Sequence, residues 1–300
     1  MPTTTTERPI TRMVTRPRIS IRLGQALEHA VLYLGLLLFS LIFFFPFYWV
    51  ITASVKKSSE LLRVPPTLWP RSFTLEHHIG VWTPQFARYF LNTFIYAGGT
   101  TIIVLFTSTL VGFVLVKHRS RFGDLLFYGI VATMTVPFAT YIIPLHGLLL
   151  RIERTFHIPM LNTYWGMILP WVFYPFGIFL MRQAMFGIPD DLIDAARIDG
   201  AGLLSTYWRV VLPLVRSSLA AMVVFVFIFK YDDLLWPLVV ATESRMYPLT
   251  LGLVEFIGVY FVEYGLFTAA SVAAIMPIII LYIFVQRFIV QGVALTGLKG

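Results

Sequence analysis

The chain has 300 residues, 58% hydrophobic and 13% charged, with no cysteine and a formal net charge of +8. A soluble domain is about 45–50% apolar and about 25% charged, so this chain lacks the charge to cover a globule in water. The apolar content excludes disorder, the missing cysteines exclude a disulfide-stapled secreted fold, and an integral membrane protein remains.

Residues 1–26 read as a basic cytoplasmic tail, Thr-rich and disordered, with Arg8, Arg12, Arg16, Arg18 and Arg22. Apolar stretches follow at about 27–52, 92–116, 123–144, 164–182, 216–238 and 266–288. Each is near the about 20 residues that cross the hydrocarbon core as a helix. Pro137, Pro170 and Pro175 interrupt the third and fourth. Neighbouring helices can re-satisfy the freed backbone groups, so these stretches still count as spans. The fold class is therefore all-α, with six transmembrane helices.

Most of the 23 Lys and Arg residues fall in segments that lie inside if the N-terminus is inside. The positive-inside rule then places both termini in the cytoplasm and accounts for the net charge through membrane lipid. Nothing in the sequence resembles a nucleic-acid-binding motif, so no nucleic-acid partner is expected. The first outside loop carries Val64-Pro65-Pro66-Thr67-Leu68-Trp69-Pro70, which suggests a compact structure at the interface. His77 and His78 in that loop read as ordinary surface residues, and the histidines show no metal-ligand spacing.

The inside loop 183–215 is the most informative segment. Pro189 suits a helix start, Asp190 and Asp191 suit the positive end of its dipole, and Gly200 suits its stop after about Ile198. A second short helix is expected to end before Pro213. Ile193, Ala196 and Gly200 fall on one small apolar stripe, with Ala195 and Ala201 beside it and Asp191, Asp194 and Asp199 on the rim. Such a helix either docks into a groove on a partner or rests on its own membrane domain.

In the fifth span, Lys230, Asp232, Asp233 and Trp236 form a polar cluster. Charges in a span face a cavity or a partner. Lys230 and Asp233 are three apart and can share a helix face. They form either a polar wall or gate of a pathway, or a local ion pair at the boundary. Trp171, Tyr174 and Tyr231 are candidate ring contacts that the sequence does not rank.

The loop resembles the EAA loop of ABC importer permeases: Asp194-Ala195-Ala196, then Gly200, Val210 and Leu212-Pro213 at the family's spacing. Asp replaces the family's Glu, and Val its Ile. Asn92-Thr93, Leu161 to Gly166, Phe176 to Leu180, Leu234 to Leu238, Pro248 to Leu253 and Gly297 to Gly300 are similar to carbohydrate-importer permeases. The similarity covers residues 27–300 and looks nearest to the MalG-like subunit of maltose-type importers; lysine at 230 is a departure from that pattern.

The resemblance implies the type I ABC importer fold in a bacterial or archaeal cytoplasmic (inner) membrane. It implies a second homologous permease subunit, a dimeric ATPase and a periplasmic or lipid-anchored binding protein that delivers a carbohydrate. Asp194, Ala195, Ala196, Gly200, Ala201 and Pro213 take the place of the coupling element that sits in a cleft of the ATPase. Gly297 to Gly300 match an end that reaches towards the ATPase interface. The partner permease is expected to make most substrate contacts.

Lys56, Lys57, Lys117, Lys230 and Lys299 all lack the preceding glycine of a phosphate-binding loop. The chain therefore reads as no enzyme and as binding no cofactor, with ATP and Mg on a partner chain. Alternatives are the same fold carrying a glycerophosphodiester, polyamine or amino acid, or a secondary transporter. The absence of an ion-coupling carboxylate in the middle of a span argues against the last.

Overall fold

The computed structural model describes residues 19–117, 120–257 and 263–297. The expectations for the tail over 1–18 and for Leu298, Lys299 and Gly300 lie outside the described residues. The chain separates into two compact units, Met1–Trp49 and Val50–Gly300. The first is dominated by helix α1, Ile19–Ser54, with Pro46 inside it. Its stretch Gln25–Ser54 has a mean hydropathy of 2.4 and is long enough to cross a membrane. Helix begins at Ile19, so the tail expected to be disordered to residue 26 is helical over its last part.

The second unit opens with two short helices, α2 (Ser58–Leu61) and α3 (Glu76–Gly80). The loop between them closes on one carboxylate. Glu60 accepts the Thr67 hydroxyl at 2.6 Å and the amides of Arg71 at 2.9 Å and Ser72 at 3.4 Å. These bonds favour the ionised form and hold the Glu60 carboxyl below its ordinary pKa. Lys56 pairs with Phe73 in an isolated antiparallel bridge. His77, expected on the surface, is buried; its Nε2 lies 3.1 Å from the Lys56 carbonyl and its ring fills the space beside Gly265.

Helix α4, Pro84–Lys117, is the central element of this unit. It starts eight residues before the expected span, and it packs most extensively on α8 and α12. Small residues allow the close approach to α8. A Cβ on Gly112 would stand 3.0 Å from the Arg182 amide nitrogen, and one on Gly177 would stand 2.5 Å from Ser108 Oγ. Thr101 and Thr109 donate to carbonyls one turn back, which satisfies their hydroxyls inside an apolar helix.

Three expected spans are broken helix pairs. The third divides into α5 (Arg121–Thr133) and α6 (Phe138–Phe156), which meet at 104°. Pro137 carries no amide to continue a ladder, and α6 runs on through residues expected in an outside loop. The fourth is α7 (Tyr164–Ile168), a 3-10 turn at Leu169–Val172 and α8 (Pro175–Phe186), bent by 44° at Pro170 and Pro175.

After α8 come α9 (Asp190–Ile198), α10 (Leu203–Thr206), a π turn at Tyr207–Val211 and α11 (Leu212–Leu214). The fifth span is α12 (Arg216–Tyr231), which forms the third bent pair with the preceding Leu203–Leu214 at 79°; its helix stops at Asp232, and α13 (Leu235–Val240) follows after a short break. A 3-10 turn (Ser244–Met246) and α14 (Leu249–Val254) lead to α15, Tyr264–Gly297. Counting each bent pair as one span, up to six elements among the described residues are long and apolar enough to cross a membrane.

Two asparagines hold the α13–α14 connection. Asn92 Nδ2 donates to the carbonyls of Arg245 and Tyr247, both at 2.9 Å, and its Oδ1 accepts the Tyr164 hydroxyl. Asn162 Oδ1 accepts the amides of Thr242 at 2.8 Å and Glu243 at 2.9 Å. Thr93 accepts the Leu249 amide at 2.7 Å. These bonds give a physical reason for the polar pair Asn92-Thr93 in an otherwise apolar helix.

Candidate functional site

The α9 segment is built as its sequence suggests. Pro189 is the N-cap, Asp190 and Asp191 occupy the first turn and Arg197 the last. Gly200 takes a φ of +81°, which L side chains disfavour. Its amide donates to the Arg197 carbonyl and that of Ala201 to the Ala196 carbonyl, each at 2.9 Å. This pairing is the Schellman closure, and it fixes a sharp turn into α10.

Pro213 lies inside helical structure, not beyond the helix end as expected. The π turn shifts the bonding register, and the Leu212 amide reaches the Tyr207 carbonyl. A helix can therefore pass through a residue without an amide.

The stripe left open between docking and resting on the membrane domain has a buried part and an exposed edge beside it. Ile193 is buried and Ala196 half-buried, so they rest on the chain's own membrane unit. Ala195, Leu192, Ile198, Leu204 and Trp208 are exposed instead, Ile198 at 87%. Asp194 is also exposed and pairs with Arg197 at 3.2 Å. It lines a small polar pocket of about 310 Å³ with Asp190, Arg197 and Lys117 at the end of α4. Ala201 is half-buried and Pro213 exposed. Tyr207, which the sequence did not single out, is buried and shares a hydrogen bond with Thr109 on α4.

The second site is a cavity of about 1040 Å³. The three helix breaks meet there: Thr133 to Phe138, Pro170 to Pro175, and Lys230 to Leu235 all contribute to its wall. Trp171, Phe173, Tyr174 and Phe176 supply rings. Lys230, Asp232 and Asp233 supply charge.

Lys230 Nζ lies 3.0 Å from Asp233 Oδ2 and 3.0 Å from the centre of the Trp171 ring. Asp233 also accepts the Tyr96 hydroxyl at 2.7 Å and, from the first turn of α13, the Trp236 amide at 3.3 Å. The geometry therefore joins the two readings of the pair: it is a local ion pair, and it lies in a cavity wall. Trp236 lies behind that wall. It is fully buried, its indole donates to the Met167 carbonyl at 3.2 Å, and it does not line the cavity. Tyr231 is likewise turned away and donates to the Ala274 carbonyl. Among the described residues no group of three or more His, Asp or Glu is arranged to hold a metal ion.

Comparison with known proteins agrees with this architecture. Residues 105–295 match the family "Binding-protein-dependent transport system inner membrane component". The chain is 30% identical over 268 residues to the arabinooligosaccharides transport system permease protein AraQ of Bacillus subtilis, covering 88% of this chain and 93% of that protein. It is 31% identical to the diacetylchitobiose uptake system permease protein NgcG of Streptomyces coelicolor, covering 90% and 87%. It is 29% identical to the sn-glycerol-3-phosphate transport system permease protein UgpE of Yersinia pestis, covering 88% and 94%. In fold it is similar to a chain of a bacterial ABC transporter involved in import of the acidic polysaccharide alginate, with a TM-score of 0.75, 21% identity and 92% and 99% coverage.

Proposed function

The chain belongs to the family of binding-protein-dependent transport system inner membrane components, and we infer that it is the permease subunit of an ATP-driven importer that passes a carbohydrate across the inner membrane. The cavity where three helix interruptions meet carries this reading. Irregular backbone at membrane depth is tolerated where it lines a cavity, and the aromatic wall with few polar groups suits a small polyhydroxylated solute. Relatives named for arabinooligosaccharide and diacetylchitobiose transport support the same solute class.

The chain is a permease and not an enzyme. ATP and Mg belong to a dimeric ATPase partner, a second homologous permease completes the pathway, and a binding protein delivers the solute from outside. Both termini lie in the cytoplasm, which places α9 on the ATPase side. There Asp194, Ala195 and Gly200 form the coupling turn, and closure of the ATPase moves α9 as a rigid body. Support for this role comes from the exposed apolar edge at Leu192, Ile198 and Leu204 beside a Gly200 turn fixed by two hydrogen bonds.

The test is expression of the chain with its partner subunits and binding protein, followed by uptake of labelled neutral oligosaccharides. ATP-dependent accumulation is expected. Accumulation of glycerol phosphates in place of sugars would favour the second reading, for which the UgpE relative and the cation of Lys230 in the wall are the supporting observations.

A further inference from the structure

The charges of the cavity wall do not cancel. Lys230 is paired with Asp233, which also accepts from Tyr96 and the Trp236 amide. The ammonium is covered on another side by the Trp171 ring and only 6% of its side chain is exposed. Its charge is therefore satisfied by the protein. Asp232, the next residue along the wall, is exposed and makes no ion pair among the described residues. The cavity holds one uncompensated carboxylate beside the rings of Trp171, Tyr174, Phe173 and Phe176.

We propose that this chain itself supplies a carbohydrate subsite in the cavity, in which an uncharged sugar ring lies on the aromatic wall, Asp232 accepts its hydroxyls, and sugar acids and phosphate esters are turned away. The proposal rests on the importer reading and deepens it. It departs from the expectation that the partner permease makes most contacts. An ionised carboxylate only accepts hydrogen bonds, which suits hydroxyl donors and opposes another anion. At contact distance the repulsion between two like charges at a protein wall is strong enough to discriminate between solutes. The fold relative that imports an acidic polysaccharide is a natural contrast, since discrimination lies in wall residues and not in the fold.

The experiment uses the assembled importer in nanodiscs without its binding protein, so that only the membrane subunits can bind. Saturation-transfer NMR is recorded with arabinotriose and with digalacturonate as probes. Arabinotriose is expected to bind at least about fivefold more tightly than digalacturonate, and Asp232→Asn is expected to close most of that gap. Trp171→Ala is expected to weaken arabinotriose binding. Equal binding of the two probes to the native importer overturns the proposal, as does a gap unchanged by Asp232→Asn or an absence of binding by either probe. The importer reading is judged separately, by uptake of arabinotriose with the binding protein present.

Discussion

The hydroxyls of Tyr207 and Thr109 lie 2.6 Å apart, both buried, although the two residues are 98 positions apart in sequence. The Tyr207 ring also packs on Phe113, with centroids 5.3 Å apart. This contact joins the turn after α10 directly to α4. Helix α4 in turn packs on α8 and α12, whose ends line the cavity. A displacement of the α9–α11 segment thus has a contiguous packed route to the cavity wall.

Tyr207→Phe is expected to leave the fold intact, since loss of one hydrogen bond costs about 1 kcal/mol. Thr109 keeps its bond to the Leu105 carbonyl. Solute transported per ATP hydrolysed is expected to fall while basal ATPase activity persists. An unchanged ratio would show that this contact plays no part in coupling.

Gly200 adopts a φ of +81° with open space around its Cα. Strain, not crowding, therefore governs substitution there. Gly200→Asn is tolerated best, because asparagine visits this region at modest cost. Gly200→Pro cannot adopt the conformation, since proline holds φ near −65°. The variant is expected to reach the membrane but lose substrate-stimulated ATPase activity, measured in proteoliposomes. Normal stimulation in that variant would remove the turn from the coupling mechanism.

Lys230→Ala leaves Asp233 buried without its cation. Breaking a buried pair on one side costs about 3–5 kcal/mol, so abundance in the membrane is expected to fall together with uptake. Adding Asp233→Asn removes the stranded charge and is expected to restore abundance. Quantitative immunoblotting beside uptake separates the two effects. If Lys230→Ala alone keeps full abundance, the pair is not structurally important.

Glu60 gives a prediction about acidity on the face proposed to lie outside. Its carboxyl is lowered by the bond from Thr67 and then the amide of Arg71. A depressed carboxyl contributes stability above its unfolded pKa and loses it as pH falls through the folded value. The loop between α2 and α3 should therefore become protease-sensitive only as the medium falls below the ordinary carboxylate range. Glu60→Gln should show that sensitivity at neutral pH. A loop equally resistant at every pH in the native protein and the variant would contradict this role.

The architecture was legible because apolar length is a one-dimensional signal. Gly200 and the acidic start of α9 were legible for a similar reason, since helix caps are local. The breaks near Met134 and Asp232 were less accessible. Asp233 marks the second through bonds to Tyr96 and Lys230, and the Tyr96 bond spans 137 positions. The choice between the two readings of the α9 stripe stayed open because Ile193 and Ile198 are both apolar, and only tertiary packing decides that Ile193 is the buried one. His77 was misplaced for the same reason, because its partners, Lys56 and Gly265, come from separate elements.

The meeting of three helix breaks at one cavity bears on protein engineering. The segments from Thr133 to Phe138, Pro170 to Pro175 and Lys230 to Leu235 are far apart in the chain but form one surface. Exchanging one of them between permeases places foreign side chains against two native ones. A chimera intended to change solute choice has to transplant all three together, and leave Trp236, Tyr96 and the Gly112–Met181 crossing as the recipient scaffold.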